Sequence, residues 1–274
     1  MFDWLELWKT IFLGEMRPVL IGLGCIVFLT MIELIWPAEP AHTLRGRARN
    51  LGYLLLYKIF GAGGLALWFA FGPRIAVPQS SSEGFLWFGY LGANLIAIDL
   101  LYYFYHRAQH AFPALWALHE LHHSDSELNA TTSFRTFWLE TLVQFLLIML
   151  PTILLFGQRG AEHALVVSVV SYGFLIFTHC NFRLSLGPLS QWICGPQVHR
   201  VHHSRLPEHR DRNFAQFFPV IDRIFGTYYA PGRSEFPPTG TETLATDANV
   251  FFAALWRPFQ IWRGLLVKRR KGNV

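Results

Sequence analysis

The chain has 274 residues, of which 52% are hydrophobic and 15% are charged, and its mean hydropathy is +0.29. Soluble proteins average about 25% charged residues, so this composition argues against a soluble protein of this length. The net charge of +5 would suit nucleic acid, but the cations are spread out and no nucleic-acid motif is recognisable. We therefore predict no nucleic-acid partner and assign the charge to anionic lipid.

The first eighteen residues differ from a signal peptide. Asp3 and Glu6 stand where a basic region is required, and no small-residue cleavage site follows. Residues 2–13 alternate aromatic and aliphatic side chains with charged ones, as a helix at a membrane interface does; a frayed soluble terminus is the alternative. We divide the chain into an interfacial segment, 1–18, and a single membrane-embedded domain, 19–274.

Five stretches are apolar enough to cross about 30 Å of hydrocarbon, which takes roughly 20 helical residues. Their few polar interruptions are Glu33, Lys58, Asp99, and Glu140 with Gln144. Together they predict an all-α fold, an integral membrane helical bundle that crosses the membrane several times. The predicted spans are residues 20–36, 51–71, 85–105, 139–156 and 164–177.

The basic residues predict which side each loop occupies. With the amino terminus outside, the inner segments 37–50, 106–137 and 181–274 carry most of the Lys and Arg residues. The outer segments, which include a short loop at 78–84, carry four: Lys9, Arg17, Arg74 and Arg159. Basic residues collect on the cytoplasmic side of membrane proteins. Because no retrieval signal is evident, we expect a bacterial inner membrane.

Nine of the twelve histidines fall into four groups on the predicted cytoplasmic side. Three groups space their histidines three or four residues apart, which places the imidazoles on one face of a helix. First-row metals accept roughly four to six ligands, so nine imidazoles favour two metals in a histidine-rich helical cap. The groups are His106 and His110; His119, His122 and His123; His179; and His199, His202 and His203.

The carboxy-terminal segment, about residues 250–271, combines aromatic side chains with a basic run at 268–271. It predicts an amphipathic helix on the inner leaflet, with a solvated basic tail as the alternative. Cys25, Cys180 and Cys194 form an odd, widely spaced set without a CxxC pair, so we expect reduced, buried thiols.

Asp99, the histidine groups, Asn181 and the run from Asp222 to Tyr228 resemble, in order and spacing, the fatty acid hydroxylase and sterol desaturase superfamily. The resemblance covers about residues 95–230, the histidine-box core. It extends to Glu140 and to Ser133, Phe134 and Arg135, but Phe137 and Trp138 stand where a His-Pro pair is common.

Members of that superfamily are membrane oxygenases that use a two-iron site and O2 to hydroxylate or desaturate lipid C–H bonds. The resemblance implies that the nine histidines are the iron ligands, that the cofactor is two iron ions, and that O2 is the co-substrate. It also implies a lipid substrate, such as a fatty acyl chain or sterol, which would enter from the bilayer through an apolar gap. No fused cytochrome or ferredoxin-like segment is present, so we expect a separate electron-transfer protein.

Several polar residues near the motifs receive further interpretations. Asp99 lies about 10 Å along a helix from His106 and is predicted to orient an imidazole of another group, with direct ligation or pairing to an Arg as alternatives. Asn181 would fix an imidazole or a water, unless it caps a helix. His209 lies in a charged run and is predicted to be solvated. His42 and His163 are taken as structural.

Two other classes of function compete. His119-Glu120-Leu121-His122-His123 satisfies the H-E-x-x-H pattern of zinc proteases, in which the Glu is a general base. The second HxxHH group has Arg200 at the matching position, which favours a role for the histidines without the Glu. A metal transporter would place its ligands along a path at the bilayer midplane, and a haem needs one or two histidines. We therefore expect an O2-dependent lipid hydroxylase, with desaturation second.

Overall fold

The computed structural model describes residues 3–40, 43–73, 76, 85–157, 161–241 and 250–271. Within these ranges the regular structure is helical, and bridges between extended residues are confined to isolated pairs. The predicted all-α class is confirmed. The loop at 78–84, His42, and the side chains of His163 and Cys25 lie outside what the structure describes.

The three helices before residue 112 are the longest, and all later helices are shorter. Short 3-10 turns at Ala130–Phe134, Gly187–Gln191 and Pro207–His209 interrupt the loops. The helices are α1 (Trp4–Ile35), α2 (Leu44–Phe71), α3 (Phe85–Ala111), α4 (Pro113–His123), α5 (Glu140–Phe156), α6 (Ala161–Thr178), α7 (Pro196–His202), α8 (Val220–Ile224) and α9 (Val250–Lys271).

Local signals in the sequence set several helix ends. The Asp3 side chain accepts the Glu6 N–H at 3.1 Å, and Thr43 Oγ1 accepts the Gly46 N–H at 2.9 Å, so both residues are N-caps. Pro113 occupies the first turn of α4, where its missing N–H costs no hydrogen bond.

A wide π turn at Phe145–Met149 interrupts α5. Pro151 lacks an N–H and its ring crowds the carbonyl four residues earlier, so the α-helical ladder cannot continue unchanged. The N–H of Leu150 instead bonds to the carbonyl of Phe145, five residues back. This register shift sets the direction of the α5 side chains that face the cavity described below.

The predicted membrane spans are supported in part. Among the described residues, α2 is long and apolar enough to cross a membrane, and α1 adds a second span if its parts, Trp4–Gly22 and Ile26–Ile35, count as one. The two parts are inclined by 40° to each other. Helix α1 thus continues through residue 18, the predicted end of the interfacial segment, and bends after Gly22. The apolar segments Glu140–Phe156 and Leu165–Thr178 are shorter. The five-span topology and its sidedness stay predictions.

A buried carboxylate at the end of α1 links three parts of the fold. Glu33 is fully buried, and its Oε1 accepts the N–H groups of Ala130 and Asn181, each at 2.7 Å. Its Oε2 lies 2.7 Å from Nη2 of Arg47, on α2. In sequence, Glu33 is merely an interruption of an apolar span; in the fold, it secures the end of α6 and the loop that follows α4.

The carboxy-terminal end of α4 is held by Arg135. Its guanidinium donates to the carbonyl of Leu121 at 2.9 Å and to Oγ of Ser124 at 2.8 Å. Asp125 accepts hydrogen bonds from Asn50 and Thr132. Burial acts to raise the pKa of Asp125, but Arg135 and these hydrogen bonds together lower it below its usual value. The carboxylate is therefore charged at neutral pH.

Replacing Glu33 with Ala should destabilise the protein strongly, because it leaves Arg47 buried without its ionic partner. Loss of one member of a buried ion pair costs about 3–5 kcal/mol, which corresponds to a fall of roughly 10 °C in Tm. Thermal unfolding in detergent would measure the change. Glu6→Ala is the control, since Glu6 pairs only with the exposed Lys9. Equal Tm values for the two variants would contradict this account of Glu33.

Candidate metal centre

The fold brings all nine predicted histidines together. They come from α3, α4, the end of α6, and α7, and they form two adjoining groups. Within each group, one ring nitrogen from every member lies within 4.8 Å of those of the others. The first group is His106, His110, His119, His123 and His202, and the second is His122, His179, His199 and His203.

The HxxHH spacing lets two helices serve both groups. On α4, His119 and His123 join the first group, whereas His122 faces the second. On α7, the division is reversed, since two of its histidines belong to the second group and His202 belongs to the first. Residues at i and i+4 share a helix face, and the residue at i+3 lies to one side of it. The duplicated pattern therefore produces two interlocked cages.

The hydrogen bonds of the rings fix which nitrogen carries a proton. Nδ1 of His106 lies 2.8 Å from the carbonyl of Phe214, Nδ1 of His202 lies 2.8 Å from that of Arg212, and Nδ1 of His179 lies 2.7 Å from that of Leu175. A carbonyl oxygen only accepts, so each Nδ1 must donate. In the neutral ring, Nε2 then presents a lone pair towards the other imidazoles.

Those Nε2 atoms crowd one another. Nε2 of His106 lies 2.9 Å from Nε2 of His119, and that of His179 lies 3.0 Å from that of His199 and 3.1 Å from that of His122. The lone pairs on Nε2 of His106 and His179 point at these neighbouring imidazoles, and a cation between the rings would be coordinated by them. The arrangement of the ring nitrogens therefore fits metal ions in both groups.

The rings are also in the correct protonation state for metal binding. Burial lowers the pKa of His179 to about 4, and burial followed by the neighbouring imidazoles lowers the pKa of His202 to about 3. The same two causes place the pKa of His119 and of His203 well below the usual value. Neutral imidazole is the form that coordinates metal, and an all-imidazole set suits zinc, copper and iron alike.

The prediction that Asp99 orients an imidazole is wrong, because its partners are backbone N–H groups. The carboxylate accepts three backbone N–H groups, from Gln216 at 2.7 Å, Phe217 at 3.0 Å and Phe218 at 2.7 Å, in place of an imidazole. The reason is that this face of α3 packs against the loop before α8. Asp99 reaches the metal centre indirectly, because the same loop carries the Phe214 carbonyl that orients His106.

Asn181 forms several hydrogen bonds with the segment after α1 and with α7. Its Oδ1 accepts from the Glu39 N–H at 3.1 Å and from Arg200 at 3.2 Å, and its Nδ2 donates to the Glu39 carbonyl at 2.7 Å. Arg200 in turn forms an ion pair with Glu39 at 2.5 Å. These bonds involve no imidazole; they join the segment after α1 to the histidine helix α7.

His209 is buried, which corrects its predicted solvation. Its side chain is 2% exposed; Nδ1 lies 2.9 Å from Oγ of Ser204 and Nε2 lies 2.8 Å from Oε1 of Glu235. The charged run around it directs its other side chains outward while His209 packs inward. It belongs to neither histidine group, in line with the prediction that it is not a tenth ligand.

Two carboxylates beside the imidazoles were not predicted as site residues. Oδ1 of Asp211 lies 3.3 Å from Nδ1 of His110, and Oε1 of Glu140 lies 3.5 Å from Nδ1 of His119. Carboxylates at this position orient metal-binding imidazoles and raise their basicity. Asp211 has a φ of 59°, a left-handed conformation that Asp tolerates better than most residues. Histidine spacing alone gives no signal for either contact.

A cavity of about 230 Å³ opens beside the centre, between α2, α3, α5 and α6. His119 and His122 line one part of it, together with Glu140. The side chains that line it further along these helices are largely apolar: Leu65, Ile98, Phe145, Ile148, Met149 and Val167. A largely apolar cavity between helices therefore reaches the imidazoles, and entry of a lipid into it from the bilayer stays a prediction.

The side chain of Glu120 points away from the histidines. Its Oε2 accepts a hydrogen bond from Nε of Arg257, on α9, at 3.1 Å. A protease base must lie next to the metal-bound water, which the histidine face of α4 would hold. The geometry thus disfavours the zinc protease interpretation.

Comparisons with known proteins agree with this site. Residues 91–227, half of the chain and the part that contains all nine histidines, match the model of the fatty acid hydroxylase family. Ornithine lipid hydroxylase OlsE of Rhizobium tropici is 27% identical over 86% of this chain and 74% of its own length. No solved structure matches the chain.

Other relatives are much longer than this chain. Alkylglycerol monooxygenase of Danio rerio is 30% identical over 63% of this chain, but that match spans 38% of the relative. Very-long-chain aldehyde decarbonylase GL1-6 of Oryza sativa subsp. indica is 28% identical over 47% of this chain and 21% of its own length. The shared region in each case is less than two fifths of the relative.

Replacing His179 with Ala should remove a ligand from the second group and leave the first group complete. We expect the metal content of the purified protein to fall from about two ions per chain to about one, because a three-imidazole site with an open face holds metal more weakly. Elemental analysis by mass spectrometry would measure it. His209→Ala is the matched control, a buried histidine outside both groups. Equal metal loss in both variants would contradict the assignment.

Proposed function

Because the chain belongs to the fatty acid hydroxylase family, we propose that it is a membrane-bound, O2-dependent oxidoreductase that hydroxylates a C–H bond of a lipid. The observation that carries the proposal is the pair of adjoining imidazole cages at one end of a cavity between helices. The cofactor of the proposed enzyme is two iron ions, held by the nine histidines.

The proposed reaction is R–H + O2 + 2 e⁻ + 2 H⁺ → R–OH + H2O. Two iron ions bound by the cages would supply the oxygen activation that ordinary acid and base groups cannot provide. The chain itself would contribute orientation and exclusion of water. The Phe214 and Arg212 carbonyls hold His106 and His202 in one tautomer, and the helices around the cavity keep solvent from the reacting carbon.

The shape of the cavity supports a lipid as substrate. Polar side chains, including Tyr102, Gln144 and Gln216, line it together with the histidines, and most of the remaining lining is apolar. Ile98 precedes His106 by eight helical residues, or about 12 Å. This arrangement suits a chain whose reacting carbon lies at the imidazoles and whose tail extends between the helices.

Hydroxylation is preferred to desaturation on the evidence of the relatives. Two of the relatives described above bear the names lipid hydroxylase and monooxygenase, both of which denote insertion of oxygen. One of them, matched over 74% of its own length, is named for ornithine lipid. We therefore propose that the substrate is a membrane lipid, reached from the bilayer and not from water.

We also propose a multi-pass arrangement in a bacterial inner membrane, with the metal centre on the cytoplasmic side. Exposed apolar side chains cover the outer faces of the first three helices, as lipid contact requires; they include Val27 and Phe28 on α1, Leu55 and Leu67 on α2, and Ile96 on α3. The basic residues of the segments that carry the histidines agree with a cytoplasmic location.

Production of the protein in a bacterial host should add one oxygen atom to a host lipid, detected by mass spectrometry of lipid extracts against cells with an empty vector. His122→Ala should abolish the new species, because it removes a ligand that also lines the cavity. A loss of two hydrogens in place of a gained oxygen would indicate a desaturase. No change in any lipid class would contradict the proposal.

Replacing Glu120 with Gln separates the oxygenase from the zinc protease. The amide can still accept the hydrogen bond of Arg257 but cannot act as a general base. We expect lipid hydroxylation to stay within about twofold of the unmodified protein, since Glu120 lies outside both cages. A protease would lose its activity by orders of magnitude, and loss of the hydroxylated lipid would show that Glu120 takes part in the chemistry.

A further inference from the structure

One edge of the first histidine group comes close to the protein surface. The His110 side chain is 9% exposed, the largest value among the nine histidines. Asp211, whose carboxylate contacts His110, is 58% exposed, and Trp116 is half-buried beside the same ring. We call His110, Trp116 and Asp211 the rim.

Trp116 connects the surface with three imidazoles of the first group. Its ring centroid lies 5.2 Å from that of His110, 5.4 Å from that of His123 and 6.3 Å from that of His119. Such an aromatic contact shortens the distance through which an electron must tunnel from outside. At the rim, therefore, an external redox centre can approach the five-histidine cage most closely.

Cations flank the rim on two sides. Arg107 is exposed on α3, one turn before His110, and Arg210 is exposed directly before Asp211. Acidic neighbours of Arg210 in the chain are Asp211, which pairs with His110, and the exposed Glu208.

The carboxy-terminal helix packs against α4 and carries further exposed cations. It runs antiparallel to α4, because Arg257 contacts Glu120 while Trp262 Nε1 donates to the Ala114 carbonyl at 2.8 Å. Its end, with the exposed Arg263 and Lys268, continues past the start of α4. The positive charge at the rim itself comes from Arg107 and Arg210.

We propose that the rim is the docking surface for an acidic one-electron carrier protein, and that electrons enter through Trp116 and His110. The inference rests on the proposed function, in which each hydroxylation consumes two electrons and two protons with one O2. Each carrier molecule is oxidised by one electron, so one hydroxylation requires two carrier molecules or two successive encounters with the same one. Electron-transfer complexes are small and weak, and opposite charges steer them into contact.

The location of the rim leaves the lipid path free. Among the described residues, none lines both the cavity and the rim, since the cavity contacts the centre through His119 and His122. The electron carrier and the lipid can therefore be bound at the same time, and the proposed reaction uses both.

Binding of a plant-type [2Fe–2S] ferredoxin, an acidic one-electron carrier, tests the docking surface without turnover. The oxidised ferredoxin would be titrated against the full-length protein in lipid nanodiscs by biolayer interferometry. We expect Arg107→Glu and Arg210→Glu each to weaken the affinity roughly tenfold, and salt raised from about 20 to about 200 mM to weaken it further. Arg233→Glu, an exposed cation on another loop, should leave it unchanged.

Trp116→Leu tests the path of the electrons. We expect it to leave the metal content unchanged and, at saturating ferredoxin, to slow the oxidation of reduced ferredoxin about tenfold, with partial recovery in Trp116→Phe, because the aromatic contact with the imidazoles is lost. Hydroxylation driven by dithionite and methyl viologen, which need no docking surface, should continue.

The outcomes separate the two proposals. Ferredoxin that does not bind, or binds with an affinity insensitive to Arg107, Arg210 and salt, overturns the docking surface. Equal rates of ferredoxin oxidation in the unmodified protein and in Trp116→Leu overturn the electron path. If dithionite and methyl viologen produce no hydroxylated lipid, the proposed function fails, while the binding data still decide whether the rim receives an acidic carrier.

Discussion

The crowding of buried imidazoles is the constraint on which the rest of the structure depends. Ring nitrogens lie about 3 Å apart, and His106, His179 and His202 commit their Nδ1 protons to backbone carbonyls, which turns their Nε2 lone pairs towards the neighbouring rings. Burial excludes the protonated state that would relieve the crowding in water. Metal ions resolve the conflict, and the scaffold must keep the rings converged until metal binds.

The scaffold achieves this with buried charges that bind backbone. Asp99 and Asp222 hold the loop whose carbonyls orient the rings of the first group, and Glu33 fixes the segment after His179 through the Asn181 N–H. Arg135 secures the end of α4. In each case, a charged side chain pins a loop or a helix end, and the pinned backbone places an imidazole, so a substitution far from the metal centre can still misplace a ligand.

The two HxxHH helices explain why the centre consists of two interlocked cages. Because each helix contributes to both cages, neither cage can shift without moving ligands of the other. The cavity touches the centre through His119 and His122, one ligand from each cage, so a bound chain would lie next to both. The surface rim lies on the first cage alone, so in our proposals the electron carrier and the lipid approach the centre from different sides.

The sequence by itself determined the helical class, the nine histidines and the family, because helical spacing of three and four residues places ligands on one face whatever the surroundings. It did not determine how the nine divide into five and four, since that depends on how α4 and α7 pack. Nor did it reveal the backbone partners of Asp99, the burial of His209 or the contact of Asp211 with His110. These contacts join residues about a hundred positions apart or depend on which way a loop turns, and tertiary packing alone decides both.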